Sequence, residues 1–149
     1  MTPRIYHSHA MWTYNSPTED RELAVIQREF PNNEIVNPGT YEENKEKAES
    51  KEMEYCKYLV STCDALIFSR LFGQVTSGVG IEIEHAISLG KPLFELANDK
   101  IRQVRKPPAY ITREETNLLS ARWRRDNVSW RVSYQRSAPS VISRLKAPR

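Results

Sequence analysis

The chain has 149 residues, 39% hydrophobic and 28% charged, with 22 Lys/Arg against 19 Asp/Glu. That length predicts a single domain over residues 1–149 with one buried core. No apolar run approaches the ~20 residues of a membrane span, which excludes a helical membrane protein. The charge is uneven: residues 1–99 hold 9 Lys/Arg and 16 Asp/Glu (net −7), and residues 100–149 hold 13 Lys/Arg and 3 Asp/Glu (net +10). A basic C-terminal part suggests phosphate or RNA contacts, but packing on the acidic part of the same chain or of a partner is the simpler reading, so nucleic acid is a possible and not a favoured partner.

Arg4 to Ser8 reads as the first strand, entered directly from Met1 with no signal peptide expected. The loop His9–Asn15 carries Met11, Trp12 and Tyr14. Ser16-Pro17-Thr18-Glu19 reads as a capping box with proline at the first helical position. The helix it starts runs to about Phe30, with Leu23, Ile26 and Phe30 on one face. Glu34 to Asn37 reads as a short strand ended by Pro38-Gly39. Thr40-Tyr41-Glu42-Glu43 is a second capping box, opening a helix whose first half, Glu42 to Glu52, is nearly all charged or small. Its second half has the stripe Met53, Cys56, Val60 and Cys63. These cysteines lie seven residues and about 10 Å apart along a helix, too far for a disulfide. Reduced, buried thiols and the absence of zinc spacing predict a cytoplasmic protein with no metal.

The third strand, Asp64 to Ser69, leads through a long loop to Thr76-Ser77-Gly78-Val79-Gly80-Ile81-Glu82-Ile83-Glu84-His85-Ala86-Ile87-Ser88-Leu89-Gly90. This reads as a small-residue loop, a helix and a glycine stop, followed by the strand Leu93 to Leu96. Gly78 and Gly80 would let backbone approach a ligand or adopt positive φ, and the donors of Ser77, Gly78, Val79 and Gly80 would attract an anion. Glu82 and Glu84 fall in the first helical turns, where carboxylates also simply stabilise a helix. They are about 200° apart, so one pocket cannot take both. Ile83, Ala86 and Ile87 mark the core face, which favours Glu82 as the partly buried carboxylate. Beyond Leu96, Pro107-Pro108 excludes a helix, Thr112 with Glu115 caps a helix to about Trp123, Ser129 to Tyr134 alternates as a fifth strand, and Val141 to Leu145 reads as a terminal helix. The order predicts an α/β fold: a flavodoxin- or Rossmann-like doubly wound sheet of about five mostly parallel strands with helices on both faces.

Gly78-Val79-Gly80-Ile81-Glu82-Ile83-Glu84-His85-Ala86 followed by Gly90-Lys91 resembles the nucleoside 2-deoxyribosyltransferase superfamily, most of all its 2'-deoxynucleoside 5'-phosphate N-hydrolase branch. The resemblance implies that Glu82 is the nucleophile at the anomeric carbon, that Tyr6 lies near it, and that no cofactor is needed. It also implies a homodimer in which Asn127 contacts substrate across the interface. Thr76, Ser77, Gly78 and Gly80, with Ser8 or His9, would bind the 5'-phosphate or 5'-hydroxyl of a nucleotide or nucleoside. Glu84 stands where the family often has glycine, and Cys56 stands where it carries an acid eight residues before the position of Asp64. The expected activity is cleavage or transfer of an N-glycosidic bond. The alternatives are a non-catalytic nucleotide-binding or sensor domain, to which Cys56 points, and an RNA-associated module using the basic tail.

Overall fold

The computed structural model describes residues 2–40 and 52–127. Among the described residues five strands form one sheet in the order β2-β1-β3-β4-β5: β1 (Arg4–Ser8), β2 (Glu34–Val36), β3 (Ala65–Phe68), β4 (Leu93–Ala97) and β5 (Lys100–Val104). β1 pairs in parallel with β2 and β3, and β3 with β4, while β5 returns antiparallel to β4. The helices are α1 (Pro17–Glu29), α2 (Glu52–Ser61), α3 (Ser77–Ser88) and α4 (Arg113–Asp126), and a short 3-10 turn, Met11–Thr13, follows β1. This is the expected doubly wound α/β arrangement. Among the described residues no helix is long and apolar enough to cross a membrane.

Alternation along the strands sorts the core into two layers. Ile5 and Ile67 meet Val25 and Ile26 of α1 on one face of the sheet. Tyr6, Leu66 and Phe68 meet α2 and α3 on the other, through Leu59, Val60 and Ile83. Along α1 the buried residues are Glu19, Val25 and Ile26, so Leu23 lies off the centre of the expected stripe. Cys56 and Cys63 are buried on α2 and beyond it and form no disulfide. Asp64 has the local role expected at a strand start: its Oδ2 accepts from Arg4 N at 2.8 Å and its own N–H donates to Arg4 O at 2.7 Å.

The fifth described strand is not Ser129–Tyr134, which lies outside the described residues together with the terminal helix, residues 41–43 of the second capping box and most of the charged 42–52 stretch. It is Lys100–Val104, joined to β4 by Asn98 and Asp99 at φ 52° and 60°. Two consecutive left-handed residues are the tight hairpin turn that asparagine and aspartate tolerate. Among the described residues β5 is the outermost strand on this side of the sheet. Gly90, at φ 70°, ends α3 as expected.

Candidate functional site

β1 lies between β2, reached through α1 on one face of the sheet, and β3, which leads to α3 on the other. The C-terminal ends of β1 and β3 therefore flank the switch point where doubly wound proteins bind ligands. α3 starts earlier than its sequence suggests. Thr76 is its N-cap and Gly80 N–H already donates to Thr76 O at 2.9 Å, so Gly78 and Gly80 are helical and not loop residues. Gly80 is needed for a different reason: a Cβ there would sit 2.7 Å from Cγ of Tyr110. The expected cradle of four donors is reduced accordingly, because Gly80 N–H serves the helix and Ser77 N–H donates to Thr116 Oγ1 at 2.9 Å. The Thr76 side chain is buried and makes no capping bond.

With α3 so placed, Glu82 turns toward the sheet and Glu84 away from it. Glu82 is 4% exposed. Its Oε2 accepts from the Tyr6 hydroxyl at 2.6 Å and its Oε1 from Ser8 Oγ at 2.6 Å. The Cys56 thiol also lies within hydrogen-bonding reach. Burial pushes the Glu82 carboxyl above its ordinary value, against the opposing pull of the Ser8, Tyr6 and Cys56 bonds and of the nearby His9 charge. Burial and the adjoining carboxylate likewise hold the Tyr6 phenol well above its usual range. Glu84 accepts from Tyr110 OH at 2.8 Å on the far side of α3, beside an open groove of about 510 Å³ lined by Lys57, Ile81, His85, Ser88 and Ile111 among others. Ile87, expected in the core, is 40% exposed. The groove and the buried Glu82 are therefore on opposite faces of one helix.

Strand parity brings Tyr6 and Ser8 to Glu82 and turns His7 and His9 to the α1 face, where they stack with centroids 3.7 Å apart at 9°. His9 Nε2 meets Glu19 Oε2 at 2.7 Å and its Nδ1 meets His7 O at 3.0 Å. A carbonyl and an ionised carboxylate only accept, so both ring nitrogens donate and His9 is an imidazolium. Burial opposes that charge, but Glu19 more than offsets it and holds the His9 pKa above its usual value. His7 is neutral: burial and the neighbouring His9 lower it to about 4, and its Nε2 meets Glu22 Oε1 at 2.9 Å. Ser69, at the end of β3, donates to the same Glu22 oxygen at 2.9 Å. The predicted capping box is thus only half formed: Ser16 Oγ accepts from Glu19 N at 3.2 Å, while the Glu19 side chain serves His9 and accepts from Asn15 N at 3.0 Å. Among the described residues His7 Nδ1 and both side-chain polar atoms of Asn15 have no partner.

Of the site residues expected from sequence, Tyr6, Ser8 and Glu82 converge. Thr76, Ser77 and Gly78 stand at the head of α3, one to two turns before Glu82. Asn127 lies at the end of α4, with its side-chain amide donating to Trp123 O at 2.8 Å. His9 is committed to Glu19. The buried His–Glu network was missed, although a signal exists: His-x-His on a strand shares one face, and Glu19 and Glu22 share one face of a helix at i, i+3. Among the described residues no cluster of three or more His, Cys, Asp or Glu is arranged to hold a metal ion. No protein-family model, no curated protein and no solved structure matches the chain.

Proposed function

We propose that the protein cleaves or transfers the N-glycosidic bond of a nucleoside or its 5'-monophosphate, with Glu82 as nucleophile. The observation that carries this reading is the Glu82 carboxylate, buried at the switch point and held on both oxygens by Tyr6 and Ser8 at 2.6 Å. Loss of the base builds positive charge on the sugar, and a carboxylate in a water-poor site stabilises that charge far better than one in solvent. Glu82 attacks the anomeric carbon as the C–N bond breaks, its electron pair leaves with the base, and the base takes a proton from water. Water or a second base then attacks the glycosyl ester and returns Glu82 to its carboxylate form. The two hydroxyl donors fix the carboxylate's orientation and offset part of the cost of its charge. The donors remaining at the head of α3 suit a 5'-phosphate.

Burial of Glu82 favours a second reading, a nucleotide-binding or sensor domain without turnover, and the thiol of Cys56 in place of an acid supports it. One experiment separates the two: base release from a panel of ribo- and deoxyribonucleosides and their 5'-monophosphates, with and without a second free base, using Glu82→Ala and Glu82→Gln as controls. Release that both substitutions abolish supports the enzyme, and full turnover by both refutes it. Nucleotide binding that raises the melting temperature with no release supports the sensor.

A further inference from the structure

α4 lies across the end of the sheet where β1 and β3 terminate. Its Arg122 guanidinium carbon sits 4.0 Å from the ring centroid of Phe72, in the loop after β3, and that of Arg124 sits 4.2 Å from Trp12, in the turn after β1. Its Thr116 hydroxyl accepts the Ser77 N–H at the head of α3. The three contacts fall on the loop after β3, the turn after β1 and the head of α3, the three segments that flank the switch point.

Two features suit this helix to movement. Of the 14 residues of α4, only Ser120 and Trp123 are buried, and a unit with few buried apolar contacts opens locally at far less cost than the whole fold. The helix also carries its own cap: Thr112 Oγ1 accepts from Glu115 N at 3.1 Å, and Glu115 Oε1 accepts from Thr112 N at 3.0 Å. That reciprocal box needs nothing from the body, so the first turn of α4 keeps its cap when the helix lifts. Immediately before it the chain is pinned, with Ile111 N–H on Val75 O at 2.9 Å and the Tyr110 ring over Gly80. The pivot is therefore the bond between Ile111 and Thr112.

We propose that α4 is a hinged lid, closed in this structure over the switch-point crevice, and that lifting it opens the path to Glu82 while releasing Ser77 N–H, Arg122 and Arg124 for an anionic ligand. The glycosidic reading supplies only the purpose of the opening, a nucleotide phosphate entering; the motion itself does not depend on it.

Cys56, 8% exposed and within hydrogen-bonding reach of Glu82, reports on the crevice, and Cys63, 1% exposed just before the start of β3, reports on the opposite, N-terminal end of the strands. Both are labelled with iodoacetamide in the full chain and quantified by peptide mass spectrometry. Replacing two exposed cation–π contacts in Arg122→Ala/Arg124→Ala should favour the open state about 5- to 30-fold. Cys56 labelling should accelerate by that factor and Cys63 labelling should not. Equal acceleration of both, or of neither, overturns the lid. Hydrogen exchange on the unsubstituted protein tests it independently of the variant folding. Amides of residues 113–127 should exchange at least about 10²-fold faster than those of β1 and β3 through local opening, and exchange only together with the sheet overturns it. A lid that passes both tests in a protein that releases no base leaves the motion established and the glycosidic reading refuted.

Discussion

Tyr6→Phe tests the Glu82 site without requiring turnover. The substitution deletes one oxygen from a side chain that is fully buried, so it opens almost no cavity and its cost is the bond to Glu82 Oε2 at 2.6 Å. A net hydrogen bond to a charged group is worth about 1.5–3 kcal/mol. Where Glu82 is ionised, that predicts a fall in melting temperature of about 5–10 °C for a chain of this size. In a Glu82→Gln background the acceptor is neutral, and the same substitution should cost about 1 kcal/mol or less. Urea unfolding of the parent, the two single variants and the double variant then gives a coupling of about 1–2 kcal/mol. Glu82→Gln alone should leave stability unchanged or raise it. The folded carboxyl is raised by burial, so the unfolded state binds fewer protons as pH rises from the ordinary carboxylate value toward the folded one, and the ionised side chain costs stability above that window. Additivity of the two substitutions within about 0.3–0.5 kcal/mol, or a strongly destabilised Glu82→Gln, would refute the account of a strained, hydroxyl-held carboxylate.

The buried histidines set an acid limb. His7 is held neutral with a pKa of about 4 against an ordinary 6.5, so the unfolded chain binds the extra proton between those values, and stability falls by about 3 kcal/mol as pH drops through them. Replacing His7 with glutamine should flatten that limb in urea titrations, and an unchanged slope between pH 6.5 and 4 would count against a neutral His7. His9 runs the other way: its raised pKa contributes stability that is present below about 6.5 and is lost as pH rises through the folded value. The two α3 glycines should also differ. Gly80→Ala drives a methyl to 2.7 Å from the Tyr110 ring, whereas at Gly78 a Cβ meets only Met53 Cε at 3.5 Å. Overpacking should cost Gly80→Ala about 1–3 kcal/mol, while Gly78→Ala gains up to about 1 kcal/mol of helix propensity, and equal melting temperatures would contradict that difference.

The sheet was legible because its signals are local. β1, β3 and β4 are short, largely buried runs bounded by turn signals, and the stops at Pro31, Pro38 and Gly90 are chemical. β5 was not legible, because Lys100–Val104 is mostly exposed and has too little apolar patterning to stand out as a strand. The start of α3 was misread for a similar reason. Two glycines look like a loop until Tyr110, thirty residues on, is known to need the space at Gly80. Angular spacing alone separated Glu82 from Glu84 correctly. It could not supply Ser8 as the second donor, since that needs the register of β1 against α3. Nor could it find that Glu19, half of an apparent capping box, would be drawn to His9.

The end of β1 places buried polar groups on both faces of the sheet, and their electrostatics differ in kind. On the α1 face His9 and Glu19 neutralise one another, and Glu22 takes donors from His7 and Ser69. The pKa values of Glu19 and Glu22 are both lowered despite burial, so that cluster favours its own ionised carboxylates and clamps α1 to the strand. On the α3 face Glu82 faces two hydroxyls and a thiol, and its pKa remains raised. Those three donors leave part of the cost of a buried charge uncompensated. An apolar side chain at position 82 would pack between Tyr6 and Ile83 at no such cost. A buried carboxylate that its surroundings destabilise is a candidate functional group, and the cation that the proposed reaction would develop on a bound sugar is the kind of partner such a charge would serve. Register keeps the two clusters apart. A slip of one residue in β1 would turn His7 toward Glu82 and Tyr6 toward Glu22, and the paired bonds between Arg4 and Asp64 at the start of the strand oppose that slip.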